Sequence, residues 1–494
     1  METHVSKVFI GRDRVFKLKR AVVFPYLDFS TPEKRRIACE AEIRINRRTA
    51  PTLYLGVVAI TRQADGTLAL GGEGEAIDWV VEMRRFDQDT LFDRMARKGT
   101  LSRALIEDLG DRIADFHARA EANHDSGGRA GIDLIIKNND RCFGQLDRTQ
   151  TQTLTRRSLD ALDGVGELLD RRRDLGRVRL CHGDLHLRNI CMVDGKPTLF
   201  DAIEFNEAFS TIDVLYDLAF VLMDLNHRGL GRLANILFNR YFDSTGEGAE
   251  DGDGLRVMAL FYSMRAAIRA HVGMSQAEAL NDPEQARRRA EEAADYLQSA
   301  LLALTPSVPR LIAVGGLSGS GKSRMARELA PHVGRAGLGL GARVVRSDAT
   351  RKRLAGVAWN ERLGAEGYSH EMTERTFSAL YAEVTLALRA GHPVIADAVF
   401  ANPEQRRAVT EIAKAEGVPF TGLWLEAPPG VMARRVTERK RNVSDADAEI
   451  VEMQQGYDLG EIDWFKIDSS GARDDTLAVE LEKLAIDQRH AAGV

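Results

Sequence analysis

Long apolar runs are missing from this sequence, and so is any strong excess of charge. The most apolar later stretch, "TIDVLYDLAFVLMDLNH", is broken by Asp213, Asp217 and Asp224, which excludes a membrane span there. Formal net charge is only −5 over 494 residues, so the bulk balance asks for neither nucleic acid nor an anionic membrane. Cysteine is scarce. Cys39, Cys142, Cys181 and Cys191 form no CxxC pair, which argues against a zinc site or a disulfide framework. They fit small buried residues in a reducing compartment. The first twenty residues scatter charge where a secretory leader has an apolar core, so a cytoplasmic location is expected.

The length is too great for one core, and a hydrophobic share of 44% with 29% charged residues is that of a globular protein of two or three domains. Up to about residue 95, short β-like runs ("KVFIG", "RVFKLK", "YLGVVAIT", "GTLAL", "DWVVEMRRF") alternate with turn signals. One helix interrupts them at "TPEKRRIACEAEIRINRRTA", announced by a Thr cap, Pro at the first helical position and Glu next. In a second part, about 96–303, helical periodicity dominates from about 100 to 175, and after the stretch 180–206 helix resumes up to about 303. "LTPSVPR" (304–310) carries two prolines where the pattern changes and reads as the linker. Strands and helices then alternate from 311 to 494, which predicts a parallel sheet covered by helices. No internal repeat is present.

"VGGLSGSGKS" (Val314–Ser323) satisfies GxxxxGK[ST] between an apolar strand and a helix. Gly316, Ser318, Gly319, Ser320 and Gly321 offer backbone N–H groups to phosphate oxygens at a helix N-terminus. Lys322 reaches the outer phosphates, and the Ser323 hydroxyl suits Mg2+. "VRSDATRKRLAG" places Asp348 and Arg351 after a second strand, and "PVIADAVF" places Asp397 near the end of a third, where ligands bind in open α/β sheets. Asp348 is a candidate base for a substrate hydroxyl or a member of the metal shell; Asp397 is a candidate metal ligand. "APPGVMARRVTERKRNVSDAD" supplies Arg434, Arg435, Arg439 and Arg441 on a lid segment, where cations stabilise a phosphoryl group in flight. This half resembles the P-loop small-molecule kinases of the gluconate-kinase and polynucleotide-kinase-like group. The resemblance implies ATP-dependent phosphorylation of a hydroxyl, with Arg435 and Arg439 as lid contacts.

The other concentration of polar chemistry is "LCHGDLHLRNICMVDGKPTLFDAIEFN" (180–206). His182, Asp184 and Asn189 reproduce H-x-D-x-x-x-x-N, and Asp201 follows twelve residues after Asn189. Phosphoryl transfer needs one carboxylate to accept the acceptor's proton, and an amide and a second carboxylate to hold metal on the nucleotide. That assigns Asp184 as base and Asn189 and Asp201 as Mg2+ ligands. Residues 1–303 resemble the aminoglycoside phosphotransferase and choline kinase branch of the two-lobed protein-kinase-like fold, α+β in class. The branch pairs a small-lobe strand lysine with a helix glutamate. "RVFKLKR" offers Lys17 or Lys19, and "CEAEIRINRR" offers Glu42 or Glu40, one of each being expected to serve; Lys17 and Glu42 are the choice carried forward. Glu204, Asp217, His186 and His117 read as structural. "FIGRDRVFKLK" has one glycine where a protein kinase shows GxGxxG, a departure that leaves phosphate coverage from above weak.

The combined reading is a bifunctional ATP- and Mg2+-dependent kinase acting on small-molecule hydroxyls such as those of sugars, amino sugars, polyols or nucleosides. Two alternatives stand beside it. In one, the N-terminal half is a ligand sensor that regulates the P-loop kinase; in the other, the C-terminal half is a nucleic-acid end kinase. Against the second, no basic stripe is interleaved with aromatics there. Arg265 and Arg269, one helical turn apart, are candidates for an anionic acceptor. Neither acceptor nor oligomeric state is legible.

Overall fold

A computed structural model describes residues 5–24, 27–247, 253–306, 309–333, 339–357, 361–437, 448–471, 477–479 and 481. The chain divides into two compact units, Met1–Cys142 with Leu162–Arg228, and Phe143–Ala161 with Gly229–Val494.

The first unit opens with a five-stranded antiparallel sheet in the order Ser6–Ile10, Arg14–Lys19, Glu75–Arg84, Tyr54–Arg62, Leu68–Leu70. Alternation along "RVFKLK" sends residues two apart to one face. The helix Pro32–Asn46 packs beside this sheet. Thr31 caps it by accepting from Lys34 N at 3.3 Å, and Pro32 occupies the first turn, whose N–H has no intrahelical partner to lose. Cys39, Ile43, Leu53, Tyr54, Val81 and Met83 fill the core beneath. Below it, two short hairpin pairings, Ile190–Val193 with Lys196–Leu199 and Val178–Leu180 with Thr211–Asp213, hold the ends of the 180–206 stretch. The helix Val214–His227 is apolar nearly all round and buried almost throughout, so it anchors this lower part.

The second unit is built on a five-stranded, all-parallel sheet in the order Arg343–Arg346, Val394–Asp397, Leu311–Gly315, Phe420–Glu426, Phe465–Asp468. The first three of these strands are buried at every residue, as expected for a sheet covered on both faces. The helices Gly231–Thr245, Leu255–Glu278 and Pro283–Ala303 belong to this unit by packing. Asn239 shows why: its side-chain oxygen accepts from Val344 N at 2.8 Å, and its Nδ2 donates to Ala342 O at 3.1 Å. Asn235 Nδ2 donates to Leu340 O and Ala342 O. Arg343, fully buried, is paired with Asp243 and Glu383, both at 2.7 Å. A sheet edge whose backbone groups lack strand partners is thereby satisfied by side chains.

Cys39, Cys181 and Cys191 are buried and unbridged, as expected, whereas Cys142 is exposed at the end of its helix. Burial pushes the Cys39 and Cys191 thiols up to about 12, which keeps them protonated and inert. Among the described residues no helix is long and apolar enough to cross a membrane.

Candidate functional sites: two phosphate-facing constellations

In the first unit the strand Arg14–Lys19 and the helix Pro32–Asn46 bring Lys17 Nζ to 2.9 Å from Glu42 Oε1. The same ammonium lies 2.6 Å from Asp201 Oδ1. Burial by itself would depress the Lys17 ammonium, but the Asp201, Glu42 and Glu204 carboxylates outweigh it and hold its pKa well above the ordinary lysine value. Glu40 points away and pairs with Arg36 at 2.7 Å on the exposed helix face. The expectation that only one lysine serves needs correcting. Lys17 and Lys19 are two apart on one strand, hence on one face, and both reach Glu42; Lys19 Nζ is 2.5 Å from Oε2. Lys19 also pairs with Glu204. Burial raises the Glu42 pKa, yet the two ammoniums prevail and lower it. For Glu204, burial and repulsion from Glu42 win, and its pKa rises.

The loop carrying Asp184 is held from beneath by two carboxylates. Asp217 accepts from His182 N at 3.0 Å and from Gly183 N at 2.9 Å, and lies 3.2 Å from His117 Nε2. Gly183 has φ 82, a backbone state that a side chain disfavours, and a Cβ there would meet Ile203 and Phe209 O at 3.1 Å. Arg48 ties the preceding strand by donating to Leu180 O and Cys181 O. Asp224 accepts from Leu187 N at 2.9 Å. His117, Cys181 and Asp217 place potential ligand atoms within 4.8 Å of one another. Their burial and the loop N–H groups on Asp217 account for them as an anchor, and His117 and Asp217 are structural as expected.

Above that anchor, Asn189 Nδ2 donates to Asp184 O and Asp184 Oδ2, both at 3.0 Å. With its NH2 group so engaged, the amide oxygen is the part of Asn189 left to accept. Asp201 has φ 61, a left-handed state uncommon for a residue with a side chain and one that gathers at functional sites. Its backbone N–H donates to the Tyr54 hydroxyl at 3.1 Å, and the next N–H donates to Asn46 Oδ1 at 2.8 Å. Those two bonds fix the turn that aims the Asp201 carboxylate. His186 Nε2 lies 3.4 Å from Asp184 Oδ2. Asp184, Asn189 and Asp201 therefore converge, with Lys17 beside Asp201. An amide oxygen and a carboxylate are hard donors that suit Mg2+. At the turn above, Gly11 N donates to Arg14 O at 2.8 Å and closes a tight hairpin with that single glycine.

The second constellation uses contiguous backbone. After the strand Leu311–Gly315, the chain passes Gly316, Leu317, Ser318, Gly319 and Ser320, and Gly321 leads into the helix Lys322–Leu329. Gly319 has φ 86, and a Cβ there would sit 2.5 Å from Met432 O. Ser323 Oγ donates to Asp397 Oδ1 at 3.1 Å, which sets a hydroxyl and a carboxylate side by side as oxygen donors for a divalent cation. Burial raises the Asp397 pKa against the pull of Arg346 and Lys322. Asp348 lies in the first turn of the helix Ser347–Leu354, half-buried, where the helix dipole favours a carboxylate. Arg435 reaches the phosphate loop, its Nη1 donating to Ser320 O at 3.3 Å and its Nη2 to Ser469 O at 2.7 Å. Arg439 and Arg441 lie outside the described residues. Arg351 donates to Gly367 O at 2.7 Å and stacks 5.0 Å from the Tyr368 ring. Arg269 stacks on Tyr296 at 5.4 Å, which gives that arginine a packing role.

Three neighbours of the loop escaped the sequence reading. Gln454 Oε1 accepts from Ser318 N at 2.7 Å, and Ser469 Oγ donates to Ser320 O at 2.6 Å. Neither has a motif to announce it. Arg346, two residues before Asp348, ends the strand Arg343–Arg346.

The phosphotransferase enzyme family matches residues 28–260. A second family, described as an AAA domain, matches 311–458. A protein of Mycobacterium tuberculosis, described as uncharacterized, is 30% identical over 489 residues, which is 96% of this chain and 92% of the relative. A glucosamine kinase solved with glucosamine, ADP and inorganic phosphate aligns with 59% of this chain and 75% of its own at 14% identity and TM-score 0.35. A gluconokinase of Sinorhizobium meliloti aligns with 36% of this chain and 97% of its own at 20% identity and TM-score 0.25. The chain therefore belongs to the family of that mycobacterial protein, and it is a phosphotransferase enzyme with a kinase-like region followed by a P-loop domain.

Proposed function

We propose that the chain is a bifunctional kinase, with a kinase-like domain at 1–303, whose last three helices pack with the second unit, and a P-loop kinase domain at 311–494, each transferring the γ-phosphoryl group of ATP to a small-molecule hydroxyl. The observation that carries this reading is that each unit has its own cation beside its own carboxylate–amide or carboxylate–hydroxyl pair. One set is Lys17 with Asp184, Asn189 and Asp201; the other is Ser323 and Asp397 with Lys322, whose charge acts on Asp397.

In the first site Asp184 accepts the proton of the attacking hydroxyl. The new bond joins that oxygen to Pγ, the bond from Pγ to the bridging oxygen breaks, and ADP leaves with the electron pair. Lys17, oriented by Glu42, holds phosphate oxygens. Asn189 and Asp201 are the residues that would hold Mg2+, which when bound neutralises charge on the β- and γ-phosphates. In the second site Ser323 and Asp397 fill that place, Lys322 and the loop N–H groups other than those of Gly316, Ser318 and Ser320 hold the phosphates, and Asp348 takes the proton. Arg435, which reaches the loop, meets the charge of the phosphoryl group in transit, the role the sequence also offers to Arg439.

The test is ADP release by purified full-length protein across sugars, amino sugars, polyols and nucleosides, for wild type, Asp184→Asn and Lys322→Ala. Each substitution should abolish one set of activities and spare the other. Loss of neither would sink the bifunctional reading. An N-terminal half that binds Mg-ATP without product, while its ligand changes C-terminal turnover, would establish the sensor alternative instead.

A further inference from the structure

The strand Arg343–Arg346 ends beside the strand Val394–Asp397, and their last residues, Arg346 and Asp397, are register partners. Partners in neighbouring strands project to the same face, so Arg346 shares the face on which Asp397 meets Ser323 of the phosphate loop. Arg346 is 8% exposed. Its Nε lies 3.7 Å from Asp397 Oδ2, too far for a hydrogen bond, and among the described residues its Nε and Nη2 have no hydrogen-bond partner. A guanidinium buried with its donors unmade is costly, because each has lost water and the ion pair with Asp397 at 3.7 Å returns attraction without a hydrogen bond. Nor does Asp397 answer the need, since that carboxylate already accepts from Ser323 and is the residue assigned to a divalent cation. Lys322 and Arg346 together with a bound cation exceed the charge of Asp397 and Asp348. Only a polyanion reverses that balance.

We infer that Arg346 is a phosphate-binding residue of the C-terminal site, its Nε–Nη2 edge donating to an oxygen of the terminal phosphoryl group of the bound nucleoside triphosphate. The inference rests on the reading of 316–323 as a nucleotide site. It assigns the end of the 343–346 strand a role in distinguishing triphosphate from diphosphate: with the terminal group present the guanidinium is paired, and after transfer its donors are again unmet. Product release is thereby favoured over substrate release.

The experiment is calorimetric binding of ADP and of a non-hydrolysable ATP analogue, both with Mg2+, to full-length wild type, Arg346→Gln, Arg346→Lys and Lys322→Ala. Loss in Lys322→Ala identifies which of the binding steps belongs to the C-terminal site. Arg346→Gln should weaken the triphosphate analogue there by roughly 10- to 100-fold, the worth of one charged hydrogen-bonded contact, and ADP by less than about 2-fold. Arg346→Lys should fall between, because it keeps the charge and loses the fork. Equal weakening of both nucleotides would overturn the inference and leave Arg346 as a support for Asp397, and so would no change in either. Should Arg346→Gln not fold, the same comparison is read from Arg346→Lys. If Lys322→Ala removes no binding step, the nucleotide reading itself fails; if it removes one and Arg346→Gln and Arg346→Lys bind as wild type, only the role of Arg346 falls.

Discussion

The two proposed sites would solve one problem with opposite materials. In the first unit the candidate groups are side chains drawn from residues 17, 184, 189 and 201 with Glu42 behind Lys17, and charge pairing and hydrogen bonds between them set their positions. In the second, the candidate groups lie along eight consecutive residues, of which Gly316 N, Ser318 N and Ser320 N, expected to face phosphate, instead donate to Val399 O, Gln454 Oε1 and Leu317 O, and the geometry is set by where no Cβ fits. The first should therefore be sensitive to charge and the second to bulk.

The sharpest way to break that contrast is Asp184→Asn, which removes the proton acceptor and keeps the shape. N-terminal turnover should fall by roughly 10²–10⁴-fold with C-terminal turnover unchanged, measured by ADP release with acceptors of each site. Next comes Glu42→Gln. It leaves Lys17 and Lys19 buried with one carboxylate fewer, and should destabilise the first unit by about 3 kcal/mol, the low end for a broken buried pair because Asp201 and Glu204 remain. Denaturant melts of the variant should show an early transition absent from wild type. Gly319→Ala changes no charge at all, yet its Cβ would collide with Met432 O. C-terminal nucleotide affinity should drop by about 10-fold or more, from backbone strain of about 1–3 kcal/mol, with the N-terminal site unaffected. An alanine that bound as wild type would remove bulk as the organising constraint.

The smallest effect concerns pH. Burial lowers the His392 pKa from 6.5 to about 4. A depressed histidine is neutral in the fold while the unfolded chain protonates, so the stability it contributes is present above pH 6.5 and lost as pH falls toward 4. The loss amounts to at most about 3 kcal/mol. His392 Nε2 contacts Leu255 O and its ring stacks on Phe238. His392→Phe should flatten the acid limb of the second unit's stability profile between those pH values; an unchanged slope would mean the ring is not the titrating group.

Legibility in the sequence followed the same division. The phosphate loop is contiguous, so its eight residues, the strand before and the helix after were all readable. Asp184, Asn189 and Asp201 were readable because a fixed spacing carries them. Lys17 and Glu42 needed the resemblance to choose them, since a lone strand lysine and a lone helix glutamate have no local mark. The part played by Lys19 was missed through the strand period: two residues apart means one face. Arg346 was passed over because a charged residue at a strand end is ordinary until its burial is known. Gln454 and Ser469 act on the loop from more than a hundred residues away, and no spacing rule spans such a gap. Asn239 belongs with them, a polar residue in a helical stretch whose partner backbone lies about a hundred residues downstream.

That last asparagine bears on how the protein can be dissected. A fragment starting at residue 311 would keep every phosphate-loop residue and yet lose the amides that satisfy Ala342 and Val344. It would present a flat row of unmet donors and acceptors to any neighbouring copy, the usual template for strand-to-strand aggregation. Cutting instead near residue 229 keeps that row covered, and such a fragment, though it lacks the Phe143–Ala161 part of the unit, should aggregate less than the shorter one.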